Sequence, residues 1–118
     1  MRALQAQGAE RAATALMLTE AASLAAMSAL HLPNEAGVAE AIICLVLLAG
    51  VTALLRRTAH ARTAARLAVG FAILGFLGGL HFTIQTGGLD LAYHLTVLPL
   101  LVLTELILLA PRSRRPGS

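Results

Sequence analysis

The stretch AGVAEAIICLVLLAGVTALL, residues 36–55, has Glu40 as its single charged residue. About 20 consecutive apolar residues are enough for an α-helix to cross the hydrocarbon core of a bilayer. Residues 32–35, LPNE, precede the stretch as a turn that contains two helix breakers, and Arg56 and Arg57 follow it. The stretch therefore predicts a membrane-spanning helix.

The composition of the whole chain agrees with this prediction. Hydrophobic residues make up 58% of the 118 residues, charged residues make up 13%, and the mean hydropathy is +0.79. Soluble domains contain about 45–50% apolar and about 25% charged residues. The apolar excess excludes a disordered chain, and the single Cys excludes a disulfide-stapled domain. We expect one membrane domain over residues 1–118.

Turn signals divide this domain into four predicted helices. The fold class that we expect is all-α, an integral membrane four-helix bundle built from two antiparallel hairpins. The helices are predicted over residues 10–31, 36–55, 65–86 and 89–110, and a short basic tail over residues 111–118.

The basic residues predict the orientation of the bundle. All nine are arginines, and they lie before the first apolar run, between the second and third runs, and after the fourth run: Arg2 and Arg11; Arg56, Arg57, Arg62 and Arg66; Arg112, Arg114 and Arg115. Arginines in short loops stay on the cytoplasmic side of a membrane. We therefore expect a multi-pass protein of the cytoplasmic (inner) membrane, with both termini in the cytoplasm.

The same arginines bear on the partners of the chain. They are not interleaved with aromatic residues, so the sequence predicts no nucleic-acid partner. The lipid bilayer is the expected partner, and arginines near its surface attract anionic lipids. A homo-oligomer and a larger membrane complex stay open as alternatives.

Ionisable residues inside the predicted helices are candidates for a functional site. Placing one at the centre of a membrane helix costs at least about 2.5 kcal/mol on insertion scales, so its presence needs a reason. At about 100° per residue, these residues share one side of each helix, and we expect that side to face the bundle interior. They are the ionisable residues Glu20, His31, Glu40, His81, Asp90, His94 and Glu105, together with the amide Gln85.

Counting residues from the turns predicts which of these side chains share a depth. His81 and His94 are equally far from the glycine pair at residues 87–88, which places both about 9 Å below the turn. Reflecting Glu40 through the first turn gives Met27. The sequence therefore predicts a layer of four side chains, one from each helix.

One interpretation of this layer is a metal or haem site. Imidazole, carboxylate and thioether groups are ligands of transition metals. We expect either a transition metal ion held by His31, Glu40, His81 and His94, with Met27 as a copper-type option, or haem b with His81 and His94 as axial ligands. Such a site would serve electron transfer or metal handling.

A second interpretation is proton-coupled transport of a small molecule or ion. Glu20 lies near the predicted midplane and would carry the proton, with Glu105 and the histidines as a relay. In its size and its first-helix carboxylate the chain resembles the small multidrug resistance transporters, which implies proton-linked transport. It departs from them because it has no Trp and one Tyr, and because its positive charges are one-sided.

A third interpretation is a non-catalytic subunit of a larger membrane complex. Polar residues in membrane bundles also hydrogen-bond between helices without any chemical role. The sequence contains no G-x-S-x-G motif, Walker loop or dinucleotide fingerprint. Whether the protein is an enzyme is left open by these observations.

Overall fold

The computed structural model describes residues 2–110, with side chains described for residues 7–85 and 87–110. Within that part of the chain there are four helices and no strand. The helices are α1 (Arg2–His31), α2 (Glu35–Arg56), α3 (Ala61–Thr86) and α4 (Gly88–Leu109). The all-helical class with four helices is confirmed, and the predicted tail at residues 111–118 lies outside the described residues.

Each helix contains a segment that is long and apolar enough to cross a membrane. The segments are Gln7–His31, Glu35–Arg56, Ala61–Gln85 and Gly88–Leu109. α1 begins at Arg2 rather than near residue 10, and α3 begins at Ala61 rather than near residue 65. Both helices start earlier because Ala, Gln and Arg favour helix, so the helix continues beyond the apolar run.

The helices form a ring in which each one packs against two others. α1 packs against α2 and α4, and α3 packs against α2 and α4. Buried residues recur every three or four positions along each helix; on α4 they are Val97, Leu101, Thr104 and Leu108. The outward faces carry large exposed apolar side chains, among them Leu45, Leu67, Leu74, Leu95 and Leu106.

The two ends of the bundle differ in charge. We call the end with the α2–α3 connection the basic end, where Arg62 approaches Glu10 at 3.9 Å and Arg66 approaches Glu105 at 3.5 Å. We call the end with the α1–α2 and α3–α4 turns the acidic end; Glu35 and Asp90 lie there in the first turns of α2 and α4.

A glycine sets the close approach of α1 and α2 at the acidic end. Ser28 Oγ on α1 donates a hydrogen bond of 2.7 Å to the carbonyl oxygen of Gly37 on α2. A Cβ atom at Gly37 would lie 2.6 Å from the backbone nitrogen of Leu32. No larger residue fits here without moving backbone, so Gly37 holds the start of α2 against the end of α1.

We expect Gly37→Ala to destabilise the bundle by about 1–3 kcal/mol, the usual cost of overpacking. Gly78→Ala is the matched control, since Gly78 also lies in a helix but has no atom within 4 Å of the added Cβ. The measurement is thermal unfolding of both variants in detergent. Equal unfolding temperatures for the two variants would contradict the close approach at Gly37.

Candidate functional site

A cavity of about 420 Å³ lies at the acidic end, with residues of all four helices in its wall. This volume is within the range of small-molecule sites, about 300–1,000 Å³. The apolar part of the wall includes Leu24, Ile43, Phe76 and Phe82. The polar part consists of His31, Glu35, Glu40, Thr83, Asp90, Tyr93 and His94.

Two glycines of α3 make room for the side chains that shape the cavity. A Cβ atom at Gly75 would lie 2.6 Å from Ile43 Cδ1, and one at Gly79 would lie 2.6 Å from His94 Nε2. The Gly75-xxx-Gly79 pair therefore serves packing within the chain, against α2 through Ile43 and against α4 through His94.

His31 lies between two carboxylates that belong to different helices. Its Nδ1 is 2.6 Å from Glu40 Oε1 on α2, and its Nε2 is 3.1 Å from Asp90 Oδ1 on α4. Ionised carboxylates only accept hydrogen bonds, so both ring nitrogens serve as donors when the ring is an imidazolium. We call His31, Glu40 and Asp90 the His31 bridge. It joins α1, α2 and α4 at the wall of the cavity.

The direction of the Cα–Cβ bonds explains why His31, rather than Met27, meets Glu40. In a helix these bonds tilt toward the N-terminus. The His31 side chain therefore leans from the end of α1 toward the bundle centre, while the Glu40 side chain leans toward the acidic end. Met27 is buried one turn deeper on α1 and is not part of the cavity wall.

His94 has one ring nitrogen in a hydrogen bond and one that faces Gly79 without a hydrogen-bond partner among the described residues. Nδ1 donates a hydrogen bond of 2.7 Å to the carbonyl oxygen of Asp90, which only accepts. In the neutral ring, Nε2 therefore carries the lone pair. No residue of the described chain hydrogen-bonds to Nε2. The ring packs against Phe76, with 5.0 Å between their centroids.

The structure does not bring His81 to His94. His81 and Gln85 are exposed on the outer side of α3, and neither belongs to the cavity wall. The five residues from the buried Phe76 to His81 turn the helix by about 140° away from the interior. The expectation that the polar side of α3 faces the bundle interior is therefore not met at His81 and Gln85, and the structure does not bring Met27, Glu40, His81 and His94 together in one layer.

The residues proposed as metal ligands are thus divided among several places. His31, Glu40 and His94 line the cavity, Met27 lies deeper, and His81 lies outside. Among the residues that the structure describes, no three His, Cys, Asp or Glu side chains form a group that could hold a metal ion.

Glu20 is the most deeply buried ionisable side chain of the described chain, with 1% of its surface exposed. Thr104 Oγ1 lies 2.9 Å from Glu20 Oε2 and 2.8 Å from the carbonyl oxygen of Leu100. A hydroxyl group has one proton, and Glu20 and the Leu100 carbonyl compete for it when Glu20 is ionised. A protonated Glu20 that donates to Thr104 leaves Thr104 free to donate to Leu100, so the contacts favour a neutral Glu20.

Polar contacts lead from the cavity toward the turn of α1 that carries Glu20. The hydroxyl of Tyr93, in the cavity wall, lies 2.8 Å from Ser23 Oγ. Ser23 Oγ in turn donates a hydrogen bond of 2.7 Å to the carbonyl oxygen of Glu20. Glu105, the other predicted relay residue, instead faces Arg66 near the basic end.

Sequence reasoning missed the contact of Thr104 with Glu20, because the Thr104 side chain is uncharged. One signal was present for Thr104: it continues the buried series Val97, Leu101 and Leu108 on α4. The contact of Asp90 with His31 was not foreseen. Comparison with known proteins adds no relative, because no family model, no curated protein and no solved structure matches the chain.

We expect the infrared spectrum at neutral pH to contain the carbonyl stretch of a protonated carboxylic acid, because the Thr104 contacts favour a neutral Glu20. Glu20→Gln should remove this band. Glu35→Gln is the control, since Glu35 is exposed at the acidic end, and it should leave the band in place. A wild-type spectrum without such a band would contradict the assignment.

Proposed function

We propose that the chain is a multi-pass protein of the cytoplasmic membrane that couples the binding of a small molecule or ion to proton exchange, as a proton-coupled transporter. The observation that carries this proposal is the His31 bridge in the wall of the cavity. There, two carboxylates share one imidazole within reach of anything that enters.

Competition for the carboxylates supplies the coupling. Nearby negative charge favours the imidazolium form of a histidine. A ligand that takes Glu40 or Asp90 from His31 removes that stabilisation and promotes loss of the proton. Glu40 is suited to such an exchange, because its Oε2 atom is buried and has no hydrogen-bond partner among the described residues. Ligand binding then promotes loss of the proton from His31, and protonation of His31 weakens ligand binding by the same factor.

We propose that Glu20 and Glu105 relay the proton along the bundle axis. Ionisable groups inside membrane segments mark proton relays in pumps and transporters. Glu20 is a buried acid between the cavity and the basic end, and Tyr93 and Ser23 lie between its turn and the cavity. Glu105 pairs with Arg66 beyond it. A proton on Glu20 would therefore have polar groups nearby both toward the cavity and toward the basic end.

The arginine distribution supports an orientation with both termini in the cytoplasm, and the cavity then opens in the outer half of the membrane. A homo-oligomer and a role as a subunit of a larger complex stay predictions.

Proteoliposomes with an entrapped pH dye test the transport proposal. Small amines, organic acids and monovalent cations are added under an imposed pH gradient, and we expect at least one compound to drive proton flux through the wild-type protein. His31→Gln and Glu20→Gln should each slow this flux at least about tenfold, the effect of about 1.4 kcal/mol in the barrier. His60→Gln, exposed near the basic end, should not change it. Equal flux in all three variants would sink the proposal.

The predicted metal or haem site is the second candidate, and one observation favours it. Metal-bound histidines almost always donate their other ring N–H to a carboxylate or carbonyl group, as His94 Nδ1 does here. His94 Nε2 would then be a ligand of a transition metal ion or of haem b. The remaining predicted ligands lend less support, since His31 is engaged at both nitrogens and His81 is outside the cavity.

Elemental analysis and absorbance spectra of the gently purified protein test this second candidate. If a metal or haem is bound, we expect His94→Ala to reduce the metal content or the Soret absorbance to background. His81→Ala, the matched control, should leave both unchanged. No metal and no Soret band in the wild type, or loss with His81→Ala alone, would overturn it.

A further inference from the structure

A groove of about 320 Å³ lies between α1 and α2 near the basic end, far from the cavity. Its polar wall includes Arg11 and Thr14 of α1 and Arg57, which follows α2. Its apolar wall includes Leu18 and Leu55. The transport proposal makes no use of this groove.

The groove has a net positive charge. Arg11 and Arg57 are both exposed, and neither forms an ion pair with a carboxylate among the described residues. Glu10 also borders the groove, but Arg62 lies 3.9 Å from it and offsets its charge. Two cationic side chains from different segments are therefore available to an anion.

The backbone at the end of α2 places Arg57 in the groove and leaves Arg56 out of it. Arg57 has φ 51° and ψ 42°, the left-handed conformation that commonly ends helices. Its N–H donates to the carbonyl oxygen of Leu54 at 3.2 Å. The chain turns at this residue, so that Arg57 lines the groove and the neighbouring Arg56 does not.

The apolar part of the groove distinguishes a lipid from a soluble anion. Leu18 lies seven residues after Arg11, about 10 Å deeper along α1. Leu18 is 44% exposed and Leu55 is 66% exposed, and both lie within segments apolar enough to span a membrane. Inorganic phosphate makes no favourable contact with an apolar surface, whereas the acyl chain of a lipid can pack against it.

We propose that an anionic phospholipid binds in this groove, with its phosphate between Arg11 and Arg57 and an acyl chain along Leu18 and Leu55. Basic pockets between membrane helices on the cytoplasmic side bind lipid headgroups, and here charge and apolar surface occur together. A bound lipid would contact both α1 and the residue that follows α2. Because it binds only the folded bundle, it would also raise the free energy of unfolding.

Native mass spectrometry of the full chain in detergent tests the proposal. Phosphatidylglycerol and phosphatidylcholine are titrated against the wild type, Arg11→Gln, Arg57→Gln and Arg56→Gln, and inorganic phosphate is added as a competitor. Arg56→Gln is the matched control, because it removes the same charge one residue away without touching the groove. Thermal unfolding without lipid verifies that all variants are folded.

We expect the wild type to prefer phosphatidylglycerol. Arg11→Gln and Arg57→Gln should each reduce this preference about fivefold, the equivalent of about 1 kcal/mol per arginine. Arg56→Gln should preserve it, and inorganic phosphate at equal concentration should not displace the lipid. Equal effects of Arg56→Gln and Arg57→Gln would show diffuse surface attraction and overturn the proposal. Displacement by phosphate would show a simple anion site and overturn it as well.

Discussion

The imidazole of His31, held between Glu40 and Asp90, is the contact on which the acidic end depends. A single ring joins the last residue of α1 to α2 and α4. Gly37 makes this geometry accessible, because it lets the start of α2 lie directly against the end of α1. Asp90 contributes twice: its carboxylate faces His31, and its carbonyl oxygen orients His94. The cavity therefore has a wall in which backbone contacts fix the position of the ionisable groups.

The six carboxylates of the chain occupy three environments along the bundle. Glu10 and Glu105 face arginines near the basic end, whereas Glu35, Glu40 and Asp90 border the cavity. Glu20 alone is buried between these regions, with Thr104 as its polar neighbour. Such a distribution is more than a bundle needs for stability, because replacing buried polar groups by apolar ones of the same shape is often neutral. The proton-coupled transport proposed above would use this distribution, with acids at a cavity and a further acid along the helix axis.

Much of the fold could be predicted from the sequence, and the reasons are physical. Apolar runs of about 20 residues bounded by Pro, Gly and Arg define four helices, and a spacing of three or four turned Glu20 and His94 inward as expected. Less of the candidate site could be predicted from the sequence. His81 and Gln85 share one side of α3, but their spacing does not decide whether that side faces the bundle or the surroundings, and in the structure it faces outward. The pairing of His31 with Glu40 depends on Cβ tilt, and the contacts of Thr104 and Tyr93 depend on neighbours across helices.

Nitrogen NMR of ¹⁵N-histidine-labelled protein in lipid bilayers tests the His31 bridge most directly. The four histidines can be assigned by single substitutions. At neutral pH we expect both ring nitrogens of His31 to carry protons, as they do in an imidazolium between two carboxylates. A neutral His31 ring, with one nitrogen lacking a proton at that pH, would contradict an imidazolium in the His31 bridge and the coupling proposed from it.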